Sequence, residues 1–201
     1  MTNFYKVISH LFHPLYLPIS GTLAYFFLTP KYTTLPMQGG NIVPIFILTV
    51  IIPIISYLIL KNIGLTSTIF LPEAKERKYP IYIILLVLLM IVYKVIPNNY
   101  TSELYYFFIG LITAYITILT TVYFNFKASI HLMSIGSIWM YLIALSVHFE
   151  LNITLAISIT TLCTGIVYSA RLYLKAHSHL ELITGLVIGV LSQLLTIKYW
   201  L

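Results

Sequence analysis

The chain has 201 residues, of which 60% are hydrophobic and only 8% charged, with a mean hydropathy of +0.97. Soluble domains carry about 25% charged residues, so this composition excludes one and leaves an integral membrane protein. The formal charge is +6, all five acids are glutamates, and the single cysteine, Cys163, lies in an apolar run, which excludes a disulfide framework and a thiolate metal cluster. The basic balance comes without aromatic and basic residues interleaved on polar segments. It therefore points to membrane surfaces and phosphate-bearing lipids as partners, and to no nucleic acid.

Residues 1–13 lack the pattern of a removable leader, so the first span is expected to stay in the mature protein. Apolar runs follow at about 14–30, 41–60, 80–97 (interrupted by Lys94), 104–126, 128–149, 151–170 and 182–197. Their lengths approach the ~20 residues that cross a hydrocarbon core as helix. They are continuously apolar rather than alternating, which argues against a barrel. The expected fold is an all-α polytopic membrane helix bundle of about seven transmembrane helices. It would form a single membrane domain, with N-terminal spans in 1–60 and a core in 61–201. Pro44 and Pro53 predict kinks in the second run, tolerated where neighbours satisfy the freed carbonyls. The expected location is a bacterial inner membrane. Lys6, Lys61, Lys127 and Lys175 on one face stand against Lys31, Lys94 and Lys198 on the other, so lysine content assigns no orientation.

Most of the charge falls in three linkers, 61–79, 126–131 and 171–181. Each pair of linkers is separated by one crossing out, a tight turn and one crossing back, so all three reach the same membrane face. Lys75, Arg77, Lys78, Lys127, Ser129, His131, Arg171, His177 and Glu181 thereby become one candidate site. Phosphoryl transfer needs cations for the equatorial oxygens, an in-line nucleophile and an acid for the leaving oxygen. His177 is the candidate nucleophile, and Glu181 stands four residues on, where a carboxylate can hold the other ring N–H. His131 is the candidate general acid, and Ser129 can donate to a phosphate oxygen. Arg171 offers a guanidinium fork, with Lys75, Arg77, Lys78 and Lys127 as further phosphate-binding cations. His10, His13 and His148 read as hydrogen-bonded structural groups.

Arg171 to Gly189, RLYLKAHSHLELITGLVIG, resembles the third signature of the type 2 phosphatidic acid phosphatase superfamily, S-R-x5-H-x3-D. Arg171 and His177 match; Ala170 replaces the serine and Glu181 the aspartate. Ala128-Ser129-Ile130-His131 resembles the second signature, P-S-G-H, through Ser129 and His131. The first, K-x6-R-P, is not reproduced, although Lys75-Glu-Arg77-Lys78-Tyr-Pro80 carries its charge. The resemblance runs from about residue 61 to 197. It implies a six-helix core plus one extra N-terminal span, a phosphohistidine at His177, acid catalysis by His131, no cofactor and no metal.

Hydrolysis of a phospholipid or isoprenyl phosphate or diphosphate is thus the first expectation. The same residues also fit a catalytically impaired homologue that binds or transports lipid phosphates. Zinc on His177 and His179 with Glu181 or His131 is an alternative, opposed by Arg171 and Lys175, which would repel a cation. A transporter with a midplane site is disfavoured, because the polar residues sit at run ends.

Overall fold

The computed structural model describes residues 2–64, 77–96 and 100–201. The chain runs through α1 (Thr2–Leu11), α2 (Leu17–Leu28), α3 (Leu35–Phe46), α4 (Ile52–Asn62), α5 (Lys78–Met90), α6 (Ser102–Tyr123), α7 (Ile130–His148), α8 (Thr154–Tyr173) and α9 (His179–Ile197). Continuous or nearly continuous helices combine into seven candidate membrane spans among the described residues, making this an integral multi-pass membrane protein. α3 and α4 form one span through a π-helical turn, Ile47–Ile51, between Pro44 and Pro53. Proline removes a backbone donor, and the wider turn accommodates that loss as the expected kink. A second π-turn, Ile91–Val95, ends the α5 span.

The N-terminus departs from expectation. The first span begins near residue 3 rather than 14, because α1 precedes the apolar run and the span Asn3–Leu28 contains both α1 and α2. Between them the chain breaks at Phe12 and His13 and restarts through a 3-10 turn, Pro14–Tyr16. His13 caps that turn, its Nδ1 accepting from Leu15 N at 3.3 Å, and Pro14 occupies the position where a missing N–H costs nothing. α1 packs on α8, with Ile8 and, just past the helix end, Phe12 in the same apolar cluster as Tyr168 and Leu172, and with Tyr5 against Tyr173 at 4.4 Å between ring centroids.

α7 and α9 form the central pair. A Cβ on Gly185 would lie 2.3 Å from the Ser129 carbonyl oxygen, and one on Gly189 only 2.1 Å from that of Met133. Only glycine permits this approach, which in lipid replaces the hydrophobic drive with close packing. It also lets Ser129 N donate to the Glu181 carbonyl at 2.9 Å, tying the start of α7 to the first turn of α9. Around this pair, fully buried Leu104, Phe107, Phe108 and Leu111 of α6 fill the bundle centre. Apolar side chains such as Leu155, Ile159 and Leu162 of α8 are exposed on the outside, as a bilayer requires.

At the far end of α2, α6 and α7, Glu103 is 2% exposed and ties three elements together. Lys31 Nζ lies 2.7 Å from its carboxylate, His148 Nε2 3.4 Å away, and Tyr25 Oη donates to it at 3.3 Å. His148 is therefore one partner in this clamp. Removing one member of a buried pair is costly because the others lose their partner, typically about 3–5 kcal/mol. Lys31 is partly exposed and can turn to water, so Glu103→Ala is expected to cost about 3 kcal/mol, the lower end of that range. Thermal unfolding in detergent measures it, and Glu103→Gln, which retains the shape, should lose less.

Candidate functional site

The spacing of the third polar linker follows from two helix-end motifs placed back to back. α8 stops because Lys175 adopts φ 51°, the left-handed conformation that follows many helix C-termini. Ala176 N then donates to the Arg171 carbonyl at 3.1 Å and Lys175 N to that of Leu172 at 2.9 Å. This pair of bonds turns the chain back on the last turn of α8, where Arg171 sits. His177 follows at once, and Ser178 begins α9. The Ser178 side chain accepts from Glu181 N at 3.3 Å while Glu181 Oε2 accepts from Ser178 N at 2.9 Å, a reciprocal capping box. Six residues from Arg171 to His177 and four more to Glu181 are thus the length of a C-terminal turn plus a cap.

Glu181 does two things in this arrangement. The oxygen that accepts from Ser178 N also faces His177 Nδ1 at 3.3 Å. The contact is close but not aligned as a hydrogen bond, and His177 Nδ1 has no hydrogen-bond partner among the described residues; a carboxylate at this distance still favours the hydrogen on Nδ1, which would leave Nε2 with the lone pair. Burial, reinforced by Arg77 and Arg171, pushes the His177 ring down to about 4, with Glu181 pulling the other way. The ring is therefore neutral at pH 7, as a nucleophile must be. Burial also lowers the Arg77 guanidinium from its usual range, opposed by Glu181.

Arg77, His131, Arg171 and His177 all line one cavity of about 390 Å³. All three polar segments, carried by different helices, thus contribute to a single space. Arg171 and His177 are 4% and 6% exposed, and Arg171 Nε has no hydrogen-bond partner among the described residues. A buried guanidinium N–H without an acceptor is costly, and an anion in the cavity would relieve it. The same cavity is lined by apolar side chains as well, including Pro53, Ile54 and Leu58 of α4 and Ile81 and Ile84 of α5. Ile54 and Leu58 are 43% and 53% exposed, so this part of the wall is made by residues that also face the surroundings of the bundle.

The remaining candidates are placed differently. Lys78, one residue past Arg77, does not line the cavity; its ammonium lies over the Tyr123 ring at 4.0 Å, where a cation–π contact holds it. Ser129 is the N-cap of α7, its hydroxyl accepting from Leu132 N at 3.4 Å, and it too stands outside the lining. Lys127 is half-buried in the linker after α6, away from the cavity wall. Lys75 lies outside the described residues. His179 meets Tyr168, its Nδ1 2.6 Å from the phenol oxygen, and is not a wall residue.

His10 and His13 make the hydrogen bonds expected of structural groups, His10 Nδ1 lying 2.8 Å from the Lys6 carbonyl and His13 Nδ1 accepting from Leu15 N, and both also line the cavity, along with Ser9. His131 Nε2 lies 3.2 Å from the Ser9 carbonyl, and the His13 and His131 rings meet edge-on at 5.5 Å between centroids. The sequence carried one signal for this placement: His13 immediately precedes Pro14, and such a pair interrupts a span rather than continuing it. No family model, curated protein or solved structure matches this chain.

Proposed function

We propose that this protein is a membrane-embedded lipid phosphate phosphatase acting on a phosphomonoester or diphosphate of a phospholipid or isoprenyl lipid. The observation that carries this reading is one cavity lined both by Arg77, Arg171, His131 and His177 and by apolar side chains of α4 and α5. A phosphate dianion gains charge-assisted hydrogen bonds from two guanidinium groups, and an acyl or prenyl chain can lie between α4 and α5.

In the proposed reaction, His177 Nε2 attacks phosphorus in line with the ester oxygen. The P–N bond forms as the P–O bond breaks, and the departing alkoxide takes a proton from His131. Water, deprotonated by the now neutral His131, then cleaves the P–N bond, releasing phosphate and restoring both rings. Arg77 and Arg171 neutralise the equatorial oxygens throughout. Glu181, held in place by the capping box, sets its charge 3.3 Å from His177 Nδ1 and so favours the tautomer that exposes Nε2. The cations and imidazoles lie at one end of the bundle, separated from the Glu103 clamp by Leu104, Phe107, Phe108 and Leu111. This arrangement favours chemistry at one membrane face over passage through the bundle.

The test is phosphate release by the purified protein from lipid phosphates in mixed micelles, followed against pH. His177 must be unprotonated to attack, and its proton is lost above about 4. The expected kcat/KM profile is therefore bell-shaped: it drops on the acid side, approaching about tenfold per pH unit well below that pKa, as His177 gains a proton, and it falls on the alkaline side as His131 loses the proton it must donate. An acid limb centred near the ordinary histidine value would contradict a buried His177 nucleophile. A parent protein that binds lipid phosphates but releases none would instead be a lipid-phosphate binding protein.

A further inference from the structure

The break in the first span sits against the polar residues of the cavity. α1 ends at Leu11, and the helix resumes only at the Pro14–Tyr16 turn. Ser9, in the last turn of α1, places its carbonyl 3.2 Å from His131 Nε2. Its hydroxyl is buried with no hydrogen-bond partner among the described residues. His13, in the break itself, sets its ring edge-on to His131 at 5.5 Å between centroids.

These contacts determine where the protons sit. A carbonyl oxygen only accepts, so in the Ser9 contact His131 Nε2 carries the hydrogen, and in the neutral ring Nδ1 keeps the lone pair. His13 is constrained in the same sense by its own turn: Nδ1 accepts from Leu15 N at 3.3 Å, so its hydrogen is on Nε2. A continuous first helix would leave its Ser9 carbonyl satisfied by the amide four residues on. The break at His13 and Pro14 frees that carbonyl for His131.

We propose that the Ser9–His13 break is a working part of the site, in which the Ser9 carbonyl and the His13 ring are positioning groups that make His131 deliver its proton through Nδ1. The proposal rests on the phosphatase reading and adds to it a wall supplied from outside the signature-bearing segments. The reactive form carries a second proton, on Nδ1, taken up from water before substrate reacts; as the P–O bond breaks, that proton passes from Nδ1 of the His131 imidazolium to the leaving oxygen. The ring remains neutral, with Nε2–H still bonded to Ser9. In the second step Nδ1 takes a proton from the attacking water, which restores the imidazolium. His13 keeps the ring from swinging away from the substrate between the two transfers.

The experiment uses the full chain in lipid nanodiscs, with short-chain phosphatidic acid as substrate. His13→Ala is expected to lower kcat on the order of 10- to 100-fold, the cost of a misplaced catalytic group, with KM moving far less. His13→Gln, which keeps an N–H donor and similar reach, should recover part of the loss, and His179→Ala should leave turnover unchanged. Nitrogen NMR of histidine-labelled protein supplies the readout that folding alone would not move. The parent should show His131 with its hydrogen on Nε2, and His13→Ala should show a mixture of tautomers. Turnover by His13→Ala within twofold of the parent would overturn the proposal and leave the phosphatase reading standing. A His131 hydrogen on Nδ1 in the parent would overturn it on its own. A parent with the predicted tautomer but no turnover on any lipid phosphate would overturn the phosphatase reading, and with it the proton delivery.

Discussion

Replacing His177 with alanine is expected to reduce phosphate release by at least about 10³-fold, because the reaction then lacks the atom that accepts the phosphoryl group. The fold should survive the change. The turn that ends α8 is made by backbone bonds from Lys175 and Ala176, and α9 begins through Ser178 and Glu181; none of these uses the imidazole. Glu181 loses one contact but keeps its bond from Ser178 N. Thermal unfolding should therefore move little while turnover disappears, a combination that separates a chemical role from a structural one. A radiolabelled phosphoryl group should remain on the parent after an alkaline quench, in which phosphohistidine survives, and should be absent from His177→Ala. Turnover by the variant at a tenth of the parent rate or more would remove His177 from the nucleophile's role.

The second large effect is expected from Gly189→Leu, far from any charge. Even the first side-chain carbon would lie 2.1 Å from the Met133 carbonyl oxygen, and that oxygen belongs to the backbone of a buried helix. Overpacking a core commonly costs about 1–3 kcal/mol when side chains can yield; here only the helix can yield, so the loss should reach or exceed the top of that range. For a chain of this size about 3 kcal/mol corresponds to roughly 6–12 °C in melting temperature. Gly165→Leu is the control, since nothing lies within 4 Å of a Cβ at that position. If Gly189→Leu unfolds at the parent temperature, the close approach of α7 and α9 is not what holds the centre together. The same substitution should reduce turnover in any protein that remains folded, because spreading α7 from α9 moves His131 away from His177.

Much of this arrangement was legible in the chain. Seven apolar runs gave the spans, and counting crossings put the three charged linkers on one face, where Arg77, His131, Arg171 and His177 share a cavity. Counting crossings places a residue on a face but does not aim its side chain. Lys78 is one position from Arg77, about 100° around the helix axis, enough to send it to Tyr123 rather than the cavity. Ser129 reads as a phosphate donor in a signature and as a helix cap in three dimensions, since a serine just before an apolar helix serves the backbone first. The N-terminal helix is hidden in the sequence for a different reason. α1 carries Asn3, Lys6 and His10 on its exposed side, which interrupt apolar continuity, so a search for long apolar runs starts the span too late. The first turns of the protein, and with them Ser9, His10 and His13, were lost from the candidate site by that same interruption.

The lipid-facing Ile54 and Leu58 in the cavity wall suggest how a guest would reach the cations. A molecule arriving there travels sideways within one leaflet and never leaves the hydrocarbon. Its encounter rate then depends on its mole fraction in the membrane rather than on its bulk concentration. Diluting it with inert lipid at constant total amount should slow capture in proportion, and adding water should leave capture unchanged.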